Sequence, residues 1–234
     1  MNYGKADIGI IGAMSKEIEA LRKTLEDSSR VTLGGIDFHL GSIYGKRVVI
    51  AGCGVGKVFA AMCAQAMIIA FSPDLIVNTG VGGAIGGGIS IGDIVVGERL
   101  VQHDMDTSAL GDPKGLISGI NKIYFEGDKR GISLLLSAAE ELGIRAVGGT
   151  IASGDRFIAD KESKDSIRDS FGASICEMEG AAIAQAAYVN GVPFLVIRAA
   201  SDSADEGSSM DYMEFMPIAA DRSARLTLAL IKEY

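Results

Sequence analysis

Several carboxylates in this 234-residue sequence stand at the carboxyl ends of predicted strands. Glu177 and Glu179 follow a short apolar segment and begin a helix of small residues, and Asp202 comes at the end of the next buried strand. In open, mostly parallel sheets, ligands bind outside the carboxyl ends of the strands. The stretch from Cys176 to Asp202 therefore predicts a site in which acids act on a bound ligand.

Glu17 is a further candidate, far away in the sequence. The apolar run from Asp7 to Gly12 and the amphipathic segment from Ser15 to Glu26 predict a strand followed by a helix. Glu17 thus lies in the first turn of a helix that starts at the carboxyl end of a strand. Two interpretations stay open, a solvated carboxylate that the helix dipole stabilises and a residue of the same site.

Two further segments follow predicted strands and offer binding surfaces. The strand Asp74–Asn78 continues into the glycine-rich segment 79–88, which lets the backbone approach a ligand closely. We expect this segment to be a loop that forms a binding wall, with a flexible turn as the alternative. The segment S-G-D-R-F-I at 153–158 carries Phe157, which fits either a core position or a platform for a flat base.

The segment G-C-G-V-G-K at 52–57 resembles a phosphate-binding loop but fails its pattern. Ala51 stands where the first glycine is required, and Val58 replaces the metal-binding serine or threonine. The glycine spacing also differs from the dinucleotide fingerprint G-x-G-x-x-G. We therefore expect neither nucleoside triphosphate nor dinucleotide binding, and no cofactor.

Composition and element order predict one α/β domain over residues 1–234. Apolar residues make up 48% of the chain, with 31 glycines and 4 prolines, which suits a large buried sheet with many tight turns. Strands and helices alternate around an antiparallel meander between about Val31 and Ala51. This order predicts a three-layer α/β/α sandwich with a central mixed, mostly parallel sheet.

The net charge and the cysteine content limit the classes of binding partner and the cellular compartment that we expect for this protein. The net charge is −8 and no run of Lys or Arg exceeds two, which argues against nucleic-acid binding. The N-terminal apolar run is too short for a secretory signal, and Gln65 interrupts the longest other apolar run, so we expect a cytoplasmic protein without membrane contact. Three widely spaced cysteines and two histidines indicate reduced thiols and no metal site.

Five separated motifs resemble those of the 5′-methylthioadenosine/S-adenosylhomocysteine nucleosidases, within the nucleoside phosphorylase fold. They are I-G-I-I-G-A-M-x-x-E, G-x-G-K at Gly54, N-T-G at Asn78, S-G-D-x-F-I at Ser153, and E-M-E followed by R-A-x-S-D ending at Asp202. The glycine motifs are weak alone, but M-x-x-E, E-M-E and R-A-x-S-D in this order are specific. The resemblance covers nearly the whole chain and implies that water cleaves the N-glycosidic bond of an adenine nucleoside through an oxocarbenium-like transition state.

The resemblance also implies a role for each polar motif residue. Asp202 would deliver a proton to N7 of the leaving adenine, and Ser201 would orient that acid. Glu179 would bind the ribose hydroxyls and favour the positive charge that develops on the sugar. Glu17 would act as the general base that activates water, with Arg198 near the water and the ribose.

The apolar side of the implied site would hold the base and the 5′ substituent. Phe157 would stack on adenine, while the backbone of Ile158 reads the Watson–Crick edge. The residues that match the wall of the ribose and 5′-alkylthio pocket are Met14, Val55, Met178 and Tyr212. For the two methionines, plain core packing remains an alternative. The side chains of Glu177 and Glu179 would share a face on an extended segment but diverge on a helix, so Glu179 is the candidate for the ribose and Glu177 is expected to support it.

The family forms homodimers, and the resemblance implies one here. In the family, the loop equivalent to 106–113 reaches across the interface, so Leu110 is the candidate that enters the partner's 5′ pocket. This loop is shorter here than is usual, which leaves the size of the 5′ pocket open.

Val81 stands where the family usually has a serine after N-T-G. Phosphorylases of this fold bind phosphate with arginines and with a hydroxyl at this position. Val81 has no hydroxyl, and Glu17 would repel phosphate, so hydrolysis is expected over phosphorolysis. The alternatives are a purine nucleoside phosphorylase, a hydrolase of another nucleoside such as futalosine, and an inactive nucleoside-binding protein.

Overall fold

The computed structural model of the protein describes residues 3–204 and 208–234. Within those residues, ten strands form one sheet, accompanied by six α-helices. The strands are β1 (Ile8–Gly12), β2 (Glu26–Leu33), β3 (Ile36–Ile43), β4 (Lys46–Gly52), β5 (Leu75–Ala84), β6 (Ile94–Gln102), β7 (Phe125–Glu126), β8 (Ala146–Ser153), β9 (Ala173–Glu177) and β10 (Phe194–Asp202). The helices are α1 (Ser15–Lys23), α2 (Lys57–Phe71), α3 (Lys129–Glu141), α4 (Lys161–Phe171), α5 (Gly180–Val189) and α6 (Ser208–Glu233).

The order of the strands brings several carboxyl ends together. The sheet runs β10-β6-β8-β9-β5-β1-β4-β3-β2, and β10 also pairs with β5, which closes a ring of five strands. β5 lies parallel to both β1 and β10. The carboxyl ends of these three strands therefore lie at the same edge, where ligands bind in α/β folds.

Parallel and antiparallel pairings are equally frequent in the described part of the chain. Five pairings are parallel and five are antiparallel. The predicted mixed sheet is confirmed, but "mostly parallel" was too strong. The difference comes from the meander of β2, β3 and β4 and from antiparallel contacts of β5 with β9 and of β6 with β7 and β10.

Apolar side chains form two large buried clusters on these elements. One combines strand residues with α2 and α5, whose small residues such as Ala64 and Ala184 allow close packing. The other combines strand residues with α1, α3 and α6. The amphipathic α1 contributes Ile18 and Leu21 to this second cluster. None of the helices in the described residues has the length and apolar character needed to cross a bilayer.

The first helix is shorter, and the second strand longer, than the sequence predicted. α1 ends at Lys23, and the hydroxyl of Thr24 donates a hydrogen bond to the carbonyl of Leu21 (2.8 Å). β2 then begins at Glu26 instead of Val31. Its side chains are mostly exposed, so this strand lacks the apolar alternation by which half-buried strands are found.

The glycine-rich segment is the largest departure from prediction. β5 continues through N-T-G-V-G-G-A to Ala84, and all ten of its residues are buried. The glycines are needed for close approach: a Cβ on Gly80 would lie 2.5 Å from Oε1 of Glu17, and one on Gly83 would lie 2.9 Å from Oδ1 of Asp202. Residues 79–84 of the predicted loop are therefore part of a central strand that lets two acids lie against its backbone, and the chain turns only at 86–88.

Candidate active site

A cavity of about 470 Å³ opens at the carboxyl ends of β1, β5 and β10. It is lined by most of the residues that the sequence singled out, namely Met14, Glu17, Val55, Val81, Phe157, Ile158, Met178, Glu179, Ser201, Asp202 and Tyr212. Arg198 lies behind this wall, and Leu110 lies elsewhere on the surface. Glu177 also lines the cavity, as do Gly82 and Gly83 of the segment that was expected to form a binding wall. Lining residues that were not singled out from the sequence are Ala13, Arg156, Cys176 and Met213, most of which neighbour a motif residue.

Glu17 is buried in the wall, with only 4% of its surface exposed. Its Oε2 accepts hydrogen bonds from the backbone N–H groups of Ala13 (2.8 Å) and Met14 (2.9 Å). Its Oε1 accepts one from the N–H of Val81 (3.1 Å). The first-turn position places the carboxylate over the positive end of α1. The alternative of a solvated first-turn carboxylate is therefore wrong.

The surroundings of Glu17 favour proton uptake. Burial raises the pKa of this carboxyl above its usual range, because the charged form loses its hydration. The positive charge of Arg198 and the three backbone hydrogen bonds oppose this rise without cancelling it. A carboxylate that is charged yet has a raised pKa is a stronger base than one in water.

Glu179 lies at the start of α5 and faces the loop between β4 and α2. Its Oε1 accepts a hydrogen bond from the N–H of Gly56 (2.9 Å), and its Oε2 lies 3.8 Å from Nη2 of Arg198. Burial and the negative charge of Glu177 raise the pKa of Glu179 to about 7. Arg198 and the N–H of Gly56 oppose that rise. The carboxylate edge that remains faces the cavity.

Arg198 is 1% exposed and is held by groups from three segments. Its guanidinium pairs with Glu177 through Nε (3.1 Å) and Nη2, and Nη2 also donates to Oδ1 of Asn78 (2.5 Å). Asn78 in turn donates to the carbonyl of Ile11 (2.8 Å) on β1. The positive charge of Arg198 thus offsets part of the negative charge of the acids from behind the cavity wall. Its contacts also connect β1, β5, β9 and β10.

Glu177 has a different function from its neighbour Glu179. Oε2 of Glu177 accepts hydrogen bonds from the N–H groups of Glu179 (3.1 Å) and Gly180 (2.7 Å), and Oε1 bonds to the hydroxyl of Ser153. With these contacts and the ion pair to Arg198, its acceptor sites are largely occupied inside the protein. Glu177 caps the start of α5, and one carboxylate edge of Glu179 faces the cavity.

Asp202 is the last residue of β10. Although it is far from Glu17 in the sequence, it lies against the same strand, β5. The hydroxyl of Ser201 donates to its Oδ2 (2.9 Å), and the N–H of Ala204 donates to its Oδ1 (2.9 Å). Asp202 therefore caps the loop that follows β10 and also has a place on the cavity wall. Its side chain is held in one orientation by two donors.

An apolar wall completes the cavity. The rings of Phe157 and Tyr212 meet edge to face with centroids 5.8 Å apart, and the hydroxyl of Tyr212 contacts the sulfur of Met14 (3.3 Å). Phe157 is 45% exposed and so is not a core residue. Met178 also lines the cavity. Such a wall suits a flat base and a thioether.

Comparison with known proteins places this arrangement in a family. The model of the phosphorylase superfamily matches residues 7–232. A 5′-methylthioadenosine/S-adenosylhomocysteine nucleosidase of Haemophilus ducreyi is 37% identical over 231 residues, which cover 98% of this chain and 99% of that protein. The chain belongs to this nucleosidase family. The resemblance inferred from the five motifs is confirmed.

Solved structures of the family have the same fold. The nucleosidase of Neisseria meningitidis, in complex with methylthio-immucillin-A, has a TM-score of 0.94 and 38% identity, with 97% of this chain and 99% of that one covered. The futalosine hydrolase of Helicobacter pylori has a TM-score of 0.93 and 36% identity, with 97% of each chain covered. The α/β fold with a central mixed sheet is therefore that of the nucleosidase family.

Proposed function

We propose that this nucleosidase hydrolyses the N-glycosidic bond of 5′-methylthioadenosine and S-adenosylhomocysteine, releasing adenine and the 5′-thioribose. The observation that carries the proposal is the convergence of Glu17, Glu179 and Asp202 on one cavity from three distant segments. Each carboxylate has different partners, which suits three different tasks. The names of the family members support the substrate class.

Asp202 acts on the base. With adenine against Phe157 and its Watson–Crick edge at the backbone of Ile158, the carboxyl of Asp202 donates a proton to N7 as the bond to C1′ breaks. The electron pair of that bond leaves with the base, and the proton prevents an adenine anion from forming. Ser201 and the N–H of Ala204 hold the carboxyl in place for this transfer.

Glu179 and Glu17 act on the sugar and the water. Glu179 accepts hydrogen bonds from the ribose hydroxyls, and the buried negative charges beneath the ring favour the oxocarbenium ion. Glu17 takes a proton from water as the water oxygen bonds to C1′, which the raised pKa of Glu17 assists. Arg198 limits the mutual repulsion of the acids without neutralising them all.

The backbone hydrogen-bond donors around Glu17 support hydrolysis over phosphorolysis, because they already bind a carboxylate. Three backbone N–H groups, two just after β1 and one within β5, already bind its carboxylate. An anionic co-substrate would have to displace this charge or lie beside it, and both cost free energy. Val81 adds no hydroxyl to attract phosphate, whereas a neutral water meets no such penalty.

We further propose a homodimer. α2 exposes four large apolar side chains, Val58, Phe59, Met62 and Ile69. Apolar surface of this kind is typical of an interaction site. Leu110, 83% exposed on the turn Ser108–Leu110, would enter the partner's cavity near the 5′ substituent. Met62→Glu is expected to yield monomers in light scattering, while Tyr44→Glu, at an equally exposed position away from α2, leaves the dimer intact.

The organisation of the chain is part of the same proposal. Residues 1–234 would form one domain, a three-layer sandwich with α2 and α5 on one face of the sheet and α1, α3 and α6 on the other. The two separate apolar clusters support this arrangement. A cytoplasmic location is supported by three free, buried cysteines, where burial raises the pKa of Cys63 and Cys176 to about 12.

One assay tests the function. Adenine release from 5′-methylthioadenosine is measured with and without phosphate, in parallel with futalosine. We expect release that is independent of phosphate. Strict dependence on phosphate would establish a phosphorylase, preference for futalosine would change the substrate, and binding without release would indicate an inactive binding protein.

A further inference from the structure

Three loops next to the cavity are tied together by polar contacts that the mechanism above does not use. Nζ of Lys57 pairs with Oδ1 of Asp104 (2.5 Å), and Oδ2 of Asp104 accepts from the N–H of Asp155 (2.9 Å). Oδ1 of Asp155 accepts from the N–H of Lys57 (2.8 Å), which closes the ring. We call these three residues the loop clasp. Asp104 and Asp155 lie in the loops that follow β6 and β8, and Lys57 is the first residue of α2, directly after the loop that follows β4.

Lys57 is the most shielded residue of the loop clasp, whereas Asp104 and Asp155 are exposed. The side chain of Lys57 is 17% exposed, and its Nζ also donates to Oε1 of Gln102 (3.2 Å). Gln102 contacts Gln185 of α5 (2.6 Å), the helix that begins beside Glu179. Although burial raises the pKa of Asp104, the hydrogen bonds from Lys57 and Asp155 lower it overall, so the carboxylate stays charged. Because the side chain of Asp104 is 33% exposed, the ion pair is only partly shielded, and the further hydrogen bonds of Lys57 and Asp104 hold its geometry.

The residues next to the clasp touch the proposed ligand site. Gly56, just before Lys57, donates its N–H to Glu179, and its φ of 101° is open chiefly to glycine. Phe157, two residues after Asp155, forms the platform for the base. The clasp therefore fixes the loop that orients the sugar carboxylate relative to the loop that carries the base platform.

We propose that Lys57, Asp104 and Asp155 are positioning residues that act through the N–H of Gly56 on Glu179. This inference rests on the proposed function, because it assigns Glu179 to the ribose hydroxyls. None of the three residues lines the cavity. When the clasp opens, the loop after β4 loses its fixed position, the Gly56–Glu179 hydrogen bond weakens, and the ribose hydroxyls are held less tightly.

The first test does not depend on activity. Lys57→Met removes the charge with little change in length, and Lys5→Met is the matched control because Lys5 pairs with Asp74 on the open surface (2.7 Å). Amide hydrogen exchange, resolved by NMR, is expected to accelerate at least severalfold at Gly56, Lys57 and Asp155 in the first variant only. Unchanged exchange at these amides in Lys57→Met would overturn the proposal.

The second test asks what the clasp does for the reaction. We expect Lys57→Met to lower the ratio of kcat/KM for 5′-methylthioadenosine to that for its 3′-deoxy analogue by roughly tenfold, the effect of one hydrogen bond to a charged group. Lys57→Arg should restore the ratio and Lys5→Met should keep it. A general loss of folded protein would lower both rates and leave the ratio unchanged, which would overturn the positioning role. If the wild-type protein releases no adenine, the proposed function fails, while the exchange experiment still decides whether the clasp exists.

Discussion

Oε1 of Glu17 accepts a hydrogen bond from the backbone N–H of Val81, joining the first turn of α1 to the middle of β5 (3.1 Å). The contact is possible because residue 80 is glycine, where any side chain would collide with the carboxylate. The strand therefore orients the proposed base, and Val81 lines the same cavity.

Glu17→Gln is expected to lower kcat by about 10²- to 10⁴-fold, the usual contribution of a general base. An amide keeps the shape but cannot take a proton from water. Substrate binding, measured by calorimetry, should stay within a few-fold of the wild-type value. Glu19→Gln is the matched control, since Glu19 lies on the exposed face of the same helix. Wild-type turnover in Glu17→Gln would remove this residue from the mechanism.

Val81→Thr is expected to move the acid limb of the kcat/KM profile to lower pH. The new hydroxyl can donate to Glu17, and a donor stabilises the charged form, so the raised pKa of Glu17 falls towards its usual value. The measurement is kcat/KM between about pH 4 and 8. Val55→Thr places a hydroxyl elsewhere on the cavity wall and should leave the limb in place. A limb that moves equally in both variants contradicts the assignment.

Asp202→Asn should slow the release of adenine by roughly 10²-fold or more, because the base then leaves without a proton. The same variant should cleave the 4-nitrophenyl riboside of 5-methylthioribose at nearly the wild-type rate, since the 4-nitrophenolate leaving group needs no proton. Both reactions are followed spectrophotometrically. Ser201→Ala, which loses only the orienting hydroxyl, is expected to have a milder defect of about tenfold. Equal losses on the two substrates in Asp202→Asn would indicate a role other than acid catalysis.

Glu179→Gln should stabilise the fold more at pH 8 than at pH 5. The pKa of Glu179 rises from 4.5 to about 7 on folding, so its contribution to stability is present below about pH 4.5 and is lost as pH rises through 7. Above that pH the wild-type protein keeps a buried charge that costs up to about 3 kcal/mol. Urea unfolding at the two pH values measures the difference, with the exposed Glu141→Gln as control. A gain that is the same at both pH values would show that the pKa of Glu179 is not raised.

The order of elements and the choice of acids were accessible from the sequence. Apolar periodicity located the strands that precede Glu17, Glu179 and Asp202, because those strands are buried and bounded by clear turn or helix signals. The separated motifs then identified the family. For these residues, local patterns and the final fold agree.

The tertiary structure decided the rest. Glycine propensity predicted a loop after Asn78, but β9 and β10 supply partners that make residues 79–84 part of a strand, and such long-range pairing leaves no local pattern. The different contacts of Glu177 and Glu179 depend on the position of Arg198, which lies on β10 and pairs with Glu177. No local sequence pattern indicates that Arg198 lies next to Glu177. The sequence by itself determined which acids are present and which strand ends carry them, whereas only packing determined that Glu177 pairs with Arg198 and caps α5 while Glu179 keeps one carboxylate edge towards the cavity.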